Sequence, residues 1–142
     1  MSIAAILASQ SDAIVRCSPS DSVHRAAQLL AEKRIGALPV MDGENVVGIF
    51  SERDLLYCVA RDGGETLQKT VGDVMTSPAI TIERDADALT ALSLMTKRRI
   101  RHLPVVDGPH MVGFVSIGDL VKFRMDRIET EAQHMREYIR QA

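Results

Sequence analysis

Apolar positions along this chain fall into two periods that alternate in a fixed order. Val23, Ala26, Ala27 and Leu30 recur at i, i+3, i+4 and i+7, which is one face of a helix. Ser-Pro-Ser-Asp at 18–21 supplies its start signal, and the helix is expected to end near Arg34. Leu38–Met41 and Val46–Phe50 are short apolar runs joined through Asp42-Gly43, a hairpin signature. Ile14-Val15 predicts a short strand ahead of the first helix. A second helix is predicted from Ser51 to Arg61, stopped by Gly63-Gly64. The order then returns. A strand is predicted over Ile80–Ile82, and a helix from about Asp87 to Arg98 with Ala88, Ala91, Leu92 and Met95 on its face. Strands at 103–106 and 111–115 and a helix from Ser116 complete the second round.

The order returns because the sequence does. Leu-Pro-Val-Met-Asp-Gly at 38–43 recurs as Leu-Pro-Val-Val-Asp-Gly at 103–108, and Gly-Ile-Phe-Ser-Glu-Arg-Asp at 48–54 recurs as Gly-Phe-Val-Ser-Ile-Gly-Asp at 113–119. Both recurrences are displaced by the same step with no gap, so the chain holds two copies of one β-α-β-β-α unit. The expected fold is α+β, a sandwich of two pseudo-symmetric repeats, with residues 1–64 as the first (including an N-terminal helix) and 65–142 as the second. Gly63–Thr70 reads as the linker, and Val71–Met75 as a short bridging helix. Two like units packed face to face create two equivalent clefts.

The last helix departs from the repeat. It can continue from Ser116 to about Arg140, and Val121, Met125, Ile128, Ala132, Met135 and Ile139 are spaced 4, 3, 4, 3, 4. That seam suits either a helix lying back on its own domain or one pairing with a second copy.

Bulk properties narrow the function classes. With 142 residues the chain can bury one sizeable core. Tryptophan is absent and aromatics make up 4%, so that core is aliphatic. A net charge of −2 gives no overall basic field for nucleic acid. Cys17 and Cys58 lie in separate apolar stretches without a Cys-x-x-Cys pattern, which predicts buried free thiols in a reducing compartment. The run Ile3–Ala8 is too short for a signal peptide and lacks a basic flank, and no run is long enough to span a membrane. A cytoplasmic location is the expectation.

The chemistry-bearing pattern is Gly-x-x-Ser-x-x-Asp, at 48–54 and again at 113–119. Its glycine lets another group approach the strand closely. Its serine stands where strand becomes helix, beside free N–H groups that favour an anion. Its aspartate can accept two hydrogen bonds at once, which fits neighbouring ribose hydroxyls. The same residues also make a capping box, with serine as N-cap and the acid three positions on, and the two roles are compatible. Lys97, Arg98, Arg99, Arg101 and His102 form the densest positive cluster. Lys97 and Arg98 suit a helix C-terminus, whereas Arg101 lies beyond the helix and is the better phosphate partner. His24, His110 and His134 show no metal-ligand spacing. No nucleophile–base pair or Gly-x-Gly-x-x-Gly is present, which argues against an enzyme.

Those motifs, together with Ile-Gly-Ala-Leu-Pro-Val-Met-Asp at 35–42, Ile-Arg-His-Leu-Pro-Val-Val-Asp at 100–107 and Asp-Val-Met-Thr-Ser-Pro at 73–78, resemble a tandem pair of CBS domains, a Bateman module of the stand-alone bacterial type. The resemblance runs from about Ile3 to Phe123. It implies a regulatory, energy-sensing module that binds adenosine-containing ligands: AMP first, with ADP, ATP, NAD(H) or S-adenosylmethionine as options. A ligand-free dimerisation scaffold is the alternative. It implies one cleft built from Asp119, Ser116, Phe114, Arg101 and His102 and closed by Val15, Ile35 and Gly36. The other consists of Asp54, Ser51 and Ile49, closed by Ile80 and Ile100, with Arg101 as a further candidate. Because repeat one has Gly36 and Ala37 where repeat two has Arg101 and His102, the Asp119 cleft is expected to hold a phosphorylated adenosine more tightly. Arg53 is the candidate replacement in the Asp54 cleft. A homodimer and an unidentified regulated protein are the expected partners, with neither nucleic acid nor membrane.

Overall fold

The computed structural model describes residues 2–10 and 13–141. Helix α1 (Ile3–Ala8) precedes the first repeat, which comprises α2 (Val23–Lys33), β1 (Ala37–Asp42), β2 (Asn45–Ser51) and α3 (Glu52–Asp62). A 3-10 turn (Gly63–Gln68) and α4 (Val71–Val74) lead into β3 (Ile82–Glu83), α5 (Ala88–Arg98), β4 (His102–Asp107), β5 (His110–Ser116) and α6 (Ile117–Gln141). The predicted linker is therefore partly helical. No described helix is long and apolar enough to cross a membrane.

The repeat is preserved in backbone detail. Strands β1 and β2 pair antiparallel, as do β4 and β5, with the register shifting at Val40/Met41 and again at Val105/Val106. Gly43 and Gly108 open the two hairpin loops at φ 65° and 61°, a region that glycine enters without steric cost. Helices α2 and α5 both end on an arginine in the left-handed conformation, Arg34 and Arg99.

The expected lead-in strands are shorter than the apolar beads suggested. Ile14-Val15 forms no strand; Cys17 alone makes a parallel bridge, to Val40, before Pro19 turns the chain into α2. Of Ile80–Ile82 only Ile82 enters β3, which runs parallel to β4. Pro78, Ala79 and Ile80 instead form the wall of a cavity, so their backbone leaves the sheet edge.

The short helices cross over between halves. Ile3 and Ile6 of α1 are buried with Ile82, Ala91, Met95, Leu103, Val115 and Leu120 of the second repeat. Val71 of α4 is buried with Val23, Leu30, Leu38, Val40 and Phe50 of the first. The docking contacts match in kind: Ile3 N–H donates to the Ala86 carbonyl (2.9 Å), as Val71 N–H does to Asp21 (2.8 Å). Division at residue 64 groups α1 with repeat one and α4 with repeat two; in space each completes the core of the other repeat. That exchange ties the halves together and brings Met75-Thr76 over Gly48 and Leu7 over Gly113.

Candidate ligand-binding cleft

Ser51 caps α3. Its Oγ accepts from Asp54 N–H (3.2 Å), while the Asp54 carboxylate accepts from Ser51 N–H and Ser51 Oγ–H, each at 3.0 Å through Oδ2. Ser116 and Asp119 repeat the reciprocal pair at the start of α6, at 3.1 and 2.8 Å. Both motifs are therefore capping boxes.

Beyond that they diverge. Asp54 Oδ1 accepts a third bond, from the Thr76 hydroxyl at 2.9 Å. Thr76 is held in place by backbone bonds with Ile49 in both directions, at 3.0 and 2.9 Å. It passes directly over Gly48, where an added Cβ would come within 2.9 Å of the Thr76 carbonyl oxygen. The atoms nearest to a Cβ at the matching Gly113 all belong to the Leu7 side chain of α1.

A cavity of about 430 Å³ opens beside Asp54, within the roughly 300–1,000 Å³ typical of small-molecule sites. Ile49, Ser51 and Asp54 form one wall, Thr76, Pro78, Ala79 and Ile80 a second, and Arg98 to His102 a third. Gly36, Ala37, Glu52, Arg53 and Tyr57 complete it. Four arginines (Arg53, Arg98, Arg99, Arg101) face two carboxylates (Glu52, Asp54) around this space, so the cavity favours an anion. The Arg53 guanidinium also reaches across to donate to the Arg99 carbonyl at 3.1 Å, joining α3 to the end of α5.

Of the residues singled out from sequence, the structure brings Ile49, Ser51, Asp54, Ile80, Ile100, Arg101, Gly36 and His102 together on this one cavity. Val15, Ile35, Phe114, Ser116 and Asp119 are not on its wall. Val15 and Ile35 pack against the core of the first repeat.

Gly36, Arg101 and His102, expected at the Asp119 cleft with Arg101 also a candidate for the other, all lie on the wall of the Asp54 cavity. The Arg101 carbonyl accepts from Ile117 N–H at 2.8 Å, as Gly36 does from Glu52 at 3.0 Å, so the Arg101 backbone does belong to the Asp119 side. Arg101 thus touches both halves: its backbone serves the Asp119 side and the residue lines the Asp54 cavity.

His102 stands on that seam. Its ring stacks on Phe114 with centroids 5.6 Å apart, and its Cε1 lies 3.4 Å from where a Gly36 Cβ would be. Burial pushes its pKa below the ordinary 6.5, against the opposing pull of Asp119 and Glu52. Burial thus favours its neutral form.

Sequence reading missed Thr76, Pro78, Ala79, Glu52 and Tyr57. The Met-Thr-Ser-Pro stretch carried a signal for Thr76, since a hydroxyl in the segment entering a cleft is a ready partner for its carboxylate. Arg98, read as a dipole partner, also lines the cavity. Cys17 and Cys58 are buried free thiols, as expected, and burial raises Cys17 to about 12.

The family model for the CBS domain matches residues 8–61 and 71–126. Among curated relatives, the chain is 35% identical over 128 residues to the mitochondrial CBS domain-containing protein CBSX3 of Arabidopsis thaliana, covering 87% of this chain and 62% of that one. Among solved structures, a signal-transduction protein with CBS domains from Burkholderia ambifaria, itself described as putative, superposes with a TM-score of 0.83 at 37% identity, covering 89% of this chain and 95% of the other. CBSX2 in complex with AMP superposes with a TM-score of 0.71 at 31% identity, covering 80% and 88%.

Proposed function

The chain belongs to the CBS-domain family, and we propose that it is a regulatory module that senses an adenine nucleotide, AMP foremost, in the cleft beside Asp54. The observation that carries this reading is the cavity itself: one half-buried carboxylate at its floor, an apolar wall and four arginines around it. In this reading Ile49, Ile80, Ile100 and Pro78 embrace the adenine. Arg53 and Arg101 hold the phosphate through charge-assisted hydrogen bonds. CBSX2, which shares the fold, is described in complex with AMP.

The ribose contact carries a mechanism. A carboxylate has about four lone-pair sites, and Asp54 already accepts three hydrogen bonds. One ribose hydroxyl fits on Oδ1 while Thr76 stays; a bidentate diol contact needs the Thr76 hydroxyl to turn away. Thr76 lies between α4, packed into the first core, and β3, paired in the second sheet. Nucleotide binding in this cleft thereby acts on the segment that joins the two halves. A homodimer whose partner protein reads that change completes the proposal, and its role is regulatory rather than catalytic.

The competing reading is a scaffold with empty clefts. It is favoured by one observation: the capping boxes account for both serine–aspartate pairs without a ligand. Thermal melting in the presence of adenosine, AMP, ATP, NAD and S-adenosylmethionine separates the two. Ligand at 100 times its Kd stabilises the native state by about 2.7 kcal/mol, and AMP is expected to outperform adenosine. Melting curves unmoved by all five would leave the scaffold.

A further inference from the structure

Helix α6 extends for 25 residues and packs on its own chain, against α1, α5 and β5, only through its first turns. Every described residue from Arg124 to Gln141 is exposed, so the seam is not satisfied by folding back on the domain. Met125, Ile128, Met135 and Ile139 are 49–64% exposed along one line about 27 Å long from Val121.

We propose that this seam is occupied by the same helix of a second copy, as a parallel, in-register coiled coil that fixes the two modules head to head. The proposal rests on the homodimer suggested above and specifies its arrangement. Two observations select this arrangement, one the pair of helices and the other their direction. The first is length. Helix α3 is the repeat counterpart of α6, with Leu56 matching Val121, but it ends at Asp62, the counterpart of Arg127. Pairing α3 against α6 would leave residues 128–141 without a partner. Only pairing α6 with α6 covers Ile128, Met135 and Ile139.

The second is charge. With Val121, Ile128 and Met135 at one core position and Met125, Ala132 and Ile139 at the other, the flanking positions are Lys122, Arg124, Glu129, Glu131 and Arg136. A parallel pair sets each flanking residue against the one five places further along the other helix. Arg124 then meets Glu129 of the partner subunit, and Glu131 meets Arg136 of the partner subunit. By symmetry this makes four opposite-sign pairs and no like-sign pair among these four residues. An antiparallel pair centred on the same seam sets Glu129 against Glu129 and Glu131 against Glu131 at its middle. The Arg127–Glu131 pair within one helix, 3.4 Å long with both side chains more than half exposed, contributes little and leaves Glu131 free to turn to a partner.

The test uses the full chain carrying Met135→Cys, with the unaltered chain, whose two cysteines are buried, as control. In the parallel coil residue 135 faces its own twin, and mild oxidation gives a disulfide-linked dimer on a non-reducing gel. In an antiparallel pair the two are about 15 Å apart, and in a head-to-tail dimer further. Glu131→Arg should weaken dimerisation on the order of tenfold in sedimentation equilibrium, and adding Arg136→Glu should restore it. A dimer that does not cross-link at 135, or that the charge reversal leaves unchanged, overturns this arrangement. A monomeric wild-type protein overturns the homodimer itself, and neither result bears on nucleotide binding.

Discussion

The two Gly-x-x-Ser-x-x-Asp motifs share one pattern and end in different surroundings. Beside Asp54, the incoming segment is Met75-Thr76, bonded to Ile49 by its backbone and to the carboxylate by its hydroxyl. Next to Gly113, the matching helix α1 offers the Leu7 side chain, and Ala8, five residues after Ile3 as Thr76 is five after Val71, carries no hydroxyl. A repeated motif therefore sets helix caps in both halves, whereas what crosses over from the other half decides what each cap faces. Arg101 joins the two: its carbonyl accepts from Ile117 at the start of α6, and the residue lines the Asp54 cavity.

Several changes would break or sharpen this contrast. The largest effect is expected from Arg53→Ala combined with Arg101→Ala. Hydrogen bonds to charged groups are worth roughly 1.5–3 kcal/mol each, so AMP affinity should fall on the order of a hundredfold while adenosine affinity barely changes. Calorimetric titration with both ligands checks it, and equal losses would place the phosphate elsewhere.

Next come the paired glycines. At Gly48 an added methyl meets the Met75 sulfur at 2.7 Å and the backbone oxygen of Thr76 at 2.9 Å, whereas at Gly113 its nearest neighbours are all side-chain atoms of Leu7. Gly48→Ala should cost about 1–3 kcal/mol in urea denaturation, and Gly113→Ala less. The reverse order would mean that the lead-in segments are equally yielding.

The seam histidine gives a smaller, pH-dependent effect. Because the folded-state pKa of His102 is lowered from 6.5, the unfolded chain binds more protons between the two values. Stability should rise with pH through that window and decline as pH falls below about 6.5, with a slope of at most about 1.4 kcal/mol per unit. His102→Gln should flatten that part of the profile; an unchanged profile would assign the slope to other groups.

The smallest effect is expected from Thr76→Val, which frees Asp54 Oδ1 for the ribose. AMP affinity should rise a few-fold at a stability cost of about 0.5–1.5 kcal/mol. A fall in affinity would show that Thr76 contacts the ligand itself.

Much of this organisation was legible in the sequence. The helix periods, the Asp-Gly turns and the gapless duplication are local or repeated signals, and they located both hairpins and both capping aspartates to within a residue or two. Ile80 was legible as cleft-forming but not as leaving the sheet, because an apolar bead reads the same whether it pairs with a strand or lines a cavity. The place of His102 and Arg98 on the Asp54 cavity was not legible, since repeat logic assigns a residue to its own motif. The exchange of α1 and α4 was hidden for a related reason: Ile3 and Val71 are apolar in either partnership, and only the packed cores distinguish them. Thr76 was hidden in a loop segment whose composition gives no period to read.

The central claim is that nucleotide is held through Asp54 and not through Asp119. Isothermal titration of AMP into the wild type, Asp54→Asn and Asp119→Asn tests it directly. The expected result is one nucleotide per chain, lost or weakened at least about tenfold by Asp54→Asn and retained by Asp119→Asn. Binding that survives Asp54→Asn but disappears with Asp119→Asn would contradict it.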